Sequence, residues 1–235
     1  MKAPEYIQAN GFVAEVKRTR RKKTASIKIN DGVVSIVVPF EIPETKISQL
    51  LHDKKRWIKE KLNLHRNAQV ASSKQYISGE SFSYLGRNYR LKVNKGDYSP
   101  AKLANGRFCI ALRQGTDNPE LIKDSLSYWF KHHAEIKLTE KAERYSKIVG
   151  VEYQSIGIKS YKSRWGSCSI DGVIDFNWKI IMAPNRIVDY VVVHELCHLI
   201  HHDHSPKFWK EVERVMPDYA ECKAWLRENG VGLEL

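Results

Sequence analysis

The sequence contains no run of about 18 apolar residues, the minimum for a helix that crosses a bilayer, which excludes a membrane-spanning helix. The first residues carry no apolar stretch either. Glu5 interrupts the segment from Met1 to Gly11, so no secretory leader is expected and the cytoplasm is the expected location. Cysteine is scarce: Cys109, Cys168, Cys197 and Cys222 are scattered. No two of them have the spacing of a zinc ribbon or a redox CxxC pair, so neither a disulfide framework nor a cysteine metal site is expected. In a reducing compartment they read as small buried hydrophobes. There is no internal repeat and no low-complexity tract, which argues against a solenoid or a disordered linker protein.

What the chain does have is enough apolar material for a true core. It has 235 residues, 42% of them hydrophobic and 28% charged, which fits one large domain or two small ones. The net charge is +12. Residues 1–80 hold 16 Lys+Arg against 8 Asp+Glu, leaving +4 to the remainder. A basic excess of this kind suits nucleic acid, nucleotides or other anions, and it also keeps proteins soluble.

The N-terminal part reads as strands at Phe12 to Val16, Ala25 to Ile29 and Val33 to Val37, with Asp31-Gly32 as a hairpin turn. The basic run from Arg18 to Thr24 reads as a solvated turn or strand edge. Apolar spacing predicts one helix over Pro43 to Asn67. Residues 68–80 look like a connection, followed by strands at Ser81 to Leu85, Tyr89 to Val93 and Arg107 to Leu112. From Asn118-Pro119 a long helix is expected, ending near Gly150. Strands at Gln154 to Ser160 and Val173 to Lys179 come next. Helices are expected from Pro184-Asn185 through Ile200, from Ser205-Pro206 onward, and from Asp218 to Glu228. The shift in composition predicts a β-rich region with one helix over residues 1–116 and a mainly helical region with a small sheet over 117–235. The fold class is therefore α+β.

The chemistry is concentrated in Val191-Val-Val-His-Glu-Leu-Cys-His-Leu199. His194 and His198 are four apart, so a helix puts both imidazoles on one face, one turn apart, within reach of one ion. Glu195 cannot easily join them as a ligand, but it can reach a water activated by the ion and take its proton. Two histidines and a glutamate in so apolar a helix are costly unless paired or bound to metal. A catalytic zinc usually has three protein ligands and one open position. His204 lies six residues past His198, the separation of the HExxHxxGxxH class, with His201 where that class has glycine. Histidine tolerates a left-handed turn better than most residues, so the chain is expected to reverse at His201. His204 is then the leading third ligand, with His202 and Asp203 as rivals. The expected cofactor is one Zn²⁺ ion.

Upstream, Ser163-Arg-Trp-Gly-Ser-Cys-Ser169 is dense in unusual residues. Gly166 permits close backbone approach, and Arg164 can clamp a carboxylate or phosphate. Trp165 reads either as a substrate contact or as a packing residue. Cys168 is not expected to act as a nucleophile, because an activated water fills that role. The strand from Val173 to Lys179 is expected to border the cleft and pair with an extended substrate, Asn177 included. Arg164, Trp165, Ser167 and Asn177 are the candidate substrate-binding residues.

Taken together, these residues resemble the YgjP-like metal-dependent hydrolase family, relatives of the SprT-like zincins. The likeness is carried by Arg164-Trp-Gly-Ser-Cys-Ser169, Asp175-Phe-Asn-Trp178, Ile187 through His198, and His204-Ser-Pro-Lys-Phe-Trp209, with Arg20-Arg-Lys-Lys-Thr24 and Tyr84-Leu-Gly-Arg87 as weaker N-terminal matches. The resemblance implies a zincin-type catalytic core behind a β-rich N-terminal region. It implies His194, His198 and His204 as zinc ligands and Glu195 as the catalytic base. The expected activity is a zinc metallopeptidase acting on a peptide or protein substrate. A metal-dependent nucleoside triphosphate pyrophosphohydrolase is a second reading. A DNA-associated SprT-like protease, with nucleic acid held by the basic N-terminal half, is a third.

Overall fold

The computed structural model describes residues 5–9, 11–20, 24–30, 32–71, 74–115 and 118–235; of residues 30 and 64–71 it describes the backbone. The chain divides into two compact units, residues 1–71 and 72–235. The composition shift at 117 falls inside the second unit.

Unit 1 holds four strands, β1 (Glu5–Ala9), β2 (Phe12–Thr19), β3 (Ser26–Asn30) and β4 (Val33–Pro39), in the sheet order β1-β2-β4-β3. The outer pairs are antiparallel and the central pair, β2 with β4, is parallel. Alternating residues explain the buried face: Ala14, Val16, Val34, Ile36 and Val38 point to one side. Helices α1 (Glu44–Asp53) and α2 (Lys55–Ala71) supply Ile47, Leu51 and Ile58 to that core. The single helix expected over Pro43 to Asn67 is thus two, broken at Lys54, whose ψ of 6° leaves the helical range. β3 and β4 pair as expected, although Asp31 of their turn lies outside the described residues. Of the basic run, Arg21, Lys22 and Lys23 also lie outside them. Arg18 is not a free cation. Its guanidinium donates to both Glu5 oxygens at 2.8 and 2.9 Å and to the carbonyls of Phe40 and Ile42.

Unit 2 begins with the same connectivity. β5 (Ser81–Tyr84), β6 (Arg87–Lys95), β7 (Ser99–Ala104) and β8 (Arg107–Leu112) form a sheet of order β5-β6-β8-β7, again with antiparallel outer pairs and a parallel centre. Helix α3 (Pro119–Val149) follows. Its ends are set locally. The Asn118 side chain accepts from Glu120 N at 3.0 Å, and Gly150 closes the helix at φ 86°, a left-handed conformation natural to glycine. Its stripe of Ile122, Leu126, Phe130, Ala134, Leu138, Ala142, Tyr145 and Val149 is buried.

The rest of unit 2 builds the site. β9 (Ser155–Lys159), β10 (Gly166–Cys168) and β11 (Val173–Asn177) form a second sheet of order β10-β11-β9. A 3-10 turn (Trp178–Met182) leads into α4 (Asn185–Cys197), then α5 (Pro206–Val215) and α6 (Tyr219–Asn229). Helix α4 is apolar almost all round and is buried against α3, α5, α6 and β10. The run Val191-Val192-Val193 is poor helix material, because β-branched side chains lose rotamer freedom there. Burial on every side outweighs that preference. A buried ion pair also fixes α4: Lys141 Nζ of α3 donates to Asp189 Oδ1 at 2.6 Å and to Asn185 Oδ1 at 2.9 Å. No helix among the described residues is long and apolar enough to cross a membrane.

β11 was expected to offer an edge to substrate, but it lies in the centre and is hydrogen-bonded on both sides. The edge beside α4 is β10. With only three residues, it is too short to register as a periodic pattern.

Candidate metal centre

Helix α4 delivers His194 and Glu195 from its last turn, and His198 is its C-terminal cap. The helix then tightens. Leu199 N and Ile200 N each reach back three residues, to Leu196 O and Cys197 O, at 3.1 Å. The reversal at His201 does not use a left-handed turn. Among the described residues, positive φ outside glycine occurs only at Tyr76, Leu85 and Asn105. His201 contributes its carbonyl instead, which accepts from His198 Nδ1 at 3.0 Å. That bond puts the proton on Nδ1 and turns the Nε2 lone pair inward.

Two residues further on, Asp203 Oδ1 accepts from Ser205 N at 3.1 Å and sets the approach to α5. Ser205 is the N-cap and Pro206 the first helical residue, although the Ser205 hydroxyl makes no capping bond. His204 is thereby fixed just ahead of the helix. Its Nε2 lies 3.1 Å from His194 Nε2. His194, His198 and His204 each offer a ring nitrogen, and the three nitrogens fall within 4.8 Å of one another. Among the described residues this is the sole such group, and it includes neither His202 nor Asp203.

A fully buried phenyl ring lies beneath all three imidazoles. Phe208 of α5 has its ring centroid 4.9, 4.5 and 5.0 Å from those of His194, His198 and His204. Trp209 adds a second wall, 5.7 Å from the His194 and His204 rings. The sequence gives Phe208-Trp209 no catalytic signature. The signal lay in their position: both fall in the first turn of α5, directly after His204.

Burial drives the electrostatics. It pushes His194 down to about 3, with His198 and His204 adding like-charge repulsion, so the ring stays neutral. Burial also holds His198 below its usual value. His194 Nδ1 is buried without a hydrogen-bond partner among the described residues. Three imidazoles with converging nitrogens, two of them held neutral, are the donor set of a borderline divalent cation. A tetrahedral ion with metal–nitrogen bonds of about 2.0–2.1 Å separates its ligands by roughly 3.3 Å. The 3.1 Å between His194 and His204 fits that spacing.

Glu195 is 5% exposed, and burial pushes its carboxyl up to about 8, against the opposing charge of Arg164. Its space is made by Gly166 on β10. A Cβ there would stand 2.6 Å from Glu195 Cγ and Oε1, closer than atoms can approach. The close approach expected of Gly166 is therefore to the glutamate. The other residues of this string divide by role. Ser167, on the opposite side of the strand from Gly166, pairs its hydroxyl with Tyr161 at 2.9 Å. Trp165 is half-buried against Gly230, which comes within 3.1–3.5 Å of the indole if given a Cβ. Asn177 was expected to face substrate. It is 3% exposed, and its amide is spent on the carbonyls of Tyr161 and Arg164 at 2.9 and 3.2 Å, bracing the loop from inside. Arg164 alone of the four keeps an exposed polar head free of side-chain hydrogen bonds. Cys168 is pushed up to about 11 by burial and by Glu195, which suppresses its thiolate.

The family model for the YgjP-like metallopeptidase domain matches residues 23–229. The chain belongs to that family. As a YgjP-like domain it is a metal-dependent peptidase by kind, and the imidazole cluster is where its residues fit a divalent ion. Two solved structures are similar over part of the chain. One is the metallopeptidase zymogen abylysin of Pyrococcus abyssi, 26% identical, covering 37% of this chain and 89% of its own, at a TM-score of 0.35. The other is the metallopeptidase zymogen jannalysin of Methanocaldococcus jannaschii, 18% identical, covering 39% and 94%, at a TM-score of 0.36. No curated protein matches.

Proposed function

We propose that this chain is a zinc-dependent peptidase in which His194, His198 and His204 hold one ion and Glu195 is the general base. The observation that carries this reading is the convergence of three imidazole nitrogens within 4.8 Å, next to a buried carboxylate that makes no hydrogen bond of its own among the described residues. Imidazole donors with no carboxylate among them favour zinc over calcium or magnesium, which take oxygen ligands. When bound, zinc supplies Lewis acidity, polarising the scissile carbonyl and drawing the pKa of water toward neutrality.

The chain's own groups do the rest. Glu195, ionised once a divalent charge beside it offsets its burial, takes the proton from the attacking water and returns it to the leaving amine, so the peptide C–N bond breaks with no charge left on the nitrogen. Phe208 and Trp209 cover one side of the imidazoles and keep water from it, which strengthens charge interactions there. Substrate lies along the free edge of β10, whose backbone offers hydrogen bonds to an extended chain beside Glu195. Arg164, just upstream of that edge, meets substrate with its guanidinium.

The test is hydrolysis of an unstructured protein such as casein by zinc-loaded wild type and by Glu195→Gln. Cleavage in wild type, lost in the variant with zinc retained, supports the reading. Glu195-dependent phosphate release from nucleoside triphosphates without peptide cleavage overturns it in favour of phosphoanhydride chemistry.

A further inference from the structure

Two cations near the imidazole cluster have no carboxylate partner among the described residues, and both rest on aromatic rings. Arg164 Cζ lies 5.5 Å from the Tyr161 ring centroid, and Lys223 Nζ of α6 lies 4.0 Å from that of Trp209. They come from different elements. Arg164 sits two residues before Gly166, the residue pressed against Glu195. Lys223 sits over Trp209, whose ring is 5.7 Å from the rings of both His194 and His204. Three other cations of this unit are held by carboxylates. Lys141 holds Asp189, Arg186 holds Asp218, and Lys179 holds Glu234. The acidic residue of the ligand turn, Asp203, is engaged with the Ser205 amide.

A cation held over an aromatic face loses less side-chain freedom when it meets an anion, because its position is already restricted. Left without a carboxylate partner, such cations repel basic partners and attract acidic ones. We propose that Arg164 and Lys223 make the site selective for acidic peptide segments, with Asp or Glu close to the scissile bond. This rests on the peptidase reading above and adds the substrate class. Exposed charge pairs are individually weak, so each cation contributes about threefold in kcat/KM, and the two together about tenfold. The planar fork of Arg164 suits a carboxylate or phosphate. Lys223 lies 25 residues after His198 in the chain and meets the site through Trp209.

The experiment profiles a peptide library with the zinc-loaded full chain, using Glu195→Gln to remove background cleavage. Expected is enrichment of Asp and Glu within a few positions of the cleaved bond. In Lys223→Glu the preference shifts toward Lys and Arg, and Lys223→Arg retains it. Glu195-dependent cleavage without acidic enrichment, or enrichment unmoved by Lys223→Glu, overturns the proposal and leaves the peptidase reading standing. A second measurement does not need turnover. Glu195→Gln, loaded with zinc, is titrated with a fluorescent Glu-rich peptide and with its Gln counterpart. Tighter binding of the Glu peptide, weakened by salt and by Lys223→Glu, supports the selection. Equal binding of the two peptides overturns it. So does a single-stranded DNA oligonucleotide that binds more tightly than the Glu peptide and is weakened equally by the same variant. Absence of any Glu195-dependent cleavage beside selective binding of the Glu peptide would point to failure of the peptidase reading alone.

Discussion

The sheet of unit 1 and the first sheet of unit 2 are wired alike: a hairpin, a parallel central pair, a second hairpin, and then helix. After β4 the chain makes two helices broken at Lys54, and they close a core of their own. After β8 it makes one helix of 31 residues, with an apolar stripe that runs its whole length. That wall lets an almost wholly apolar helix, α4, exist in water at all, and α4 carries the histidines. Among the described residues, unit 1 brings together no comparable group of metal-binding side chains. The same sheet therefore serves two ends. Function follows from what is packed on it, here a long helix that shelters the helix bearing the histidines.

Substitutions can break or sharpen that contrast. The largest effect is expected at Glu195. Glu195→Gln should lower kcat for peptide cleavage by about 10³-fold, within the usual range for losing a general base, with zinc content unchanged by elemental analysis. Next comes the brace between α3 and α4. Lys141→Met leaves Asp189 buried without its closest cation, which should cost about 3 kcal/mol in denaturant unfolding of unit 2, softened by Arg144 at 3.8 Å. His204→Ala removes a ligand rather than a partner of one, so zinc affinity should fall by more than about 100-fold in a chelator competition. Gly166→Ala drives a methyl group into the Glu195 carboxylate, and kcat should drop by roughly 10–100-fold with zinc still bound. The smallest change belongs to unit 1. Ile36→Val should cost about 1 kcal/mol in unfolding of that unit and leave zinc content and peptide cleavage as they were.

The clustering of the three histidines was legible because their spacing carries it. Histidines four apart, a glutamate between them and a third histidine six residues on require no tertiary information to be noticed. What escaped notice depended on neighbours distant in sequence. β1 and β7 bury only Ile7 and Ala101, so neither shows the alternation that marks a strand. The break at Lys54 is hidden because Ile47, Leu51 and Ile58 keep helical spacing straight across it. β11 looked like an edge because β10, which covers it, is Gly-Ser-Cys and has no strand signature. The left-handed turn expected at His201 was borrowed from a pattern with glycine. Here a tightened helix end does that work, and the position matters for its carbonyl. The composition shift at 117 marks a change from sheet to helix, while β5 to β8 and α3 share one core. The matched connectivity of the two sheets leaves no trace as a sequence repeat, because connectivity constrains strand order and not residue identity.

X-ray absorption at the zinc edge of the zinc-loaded chain tests the central claim most directly. The geometry predicts one ion per chain with three imidazole nitrogens at about 2.0–2.1 Å and a light oxygen scatterer completing the shell. A sulfur scatterer at about 2.3 Å, or a shell that keeps three imidazoles after His204→Ala, would contradict it.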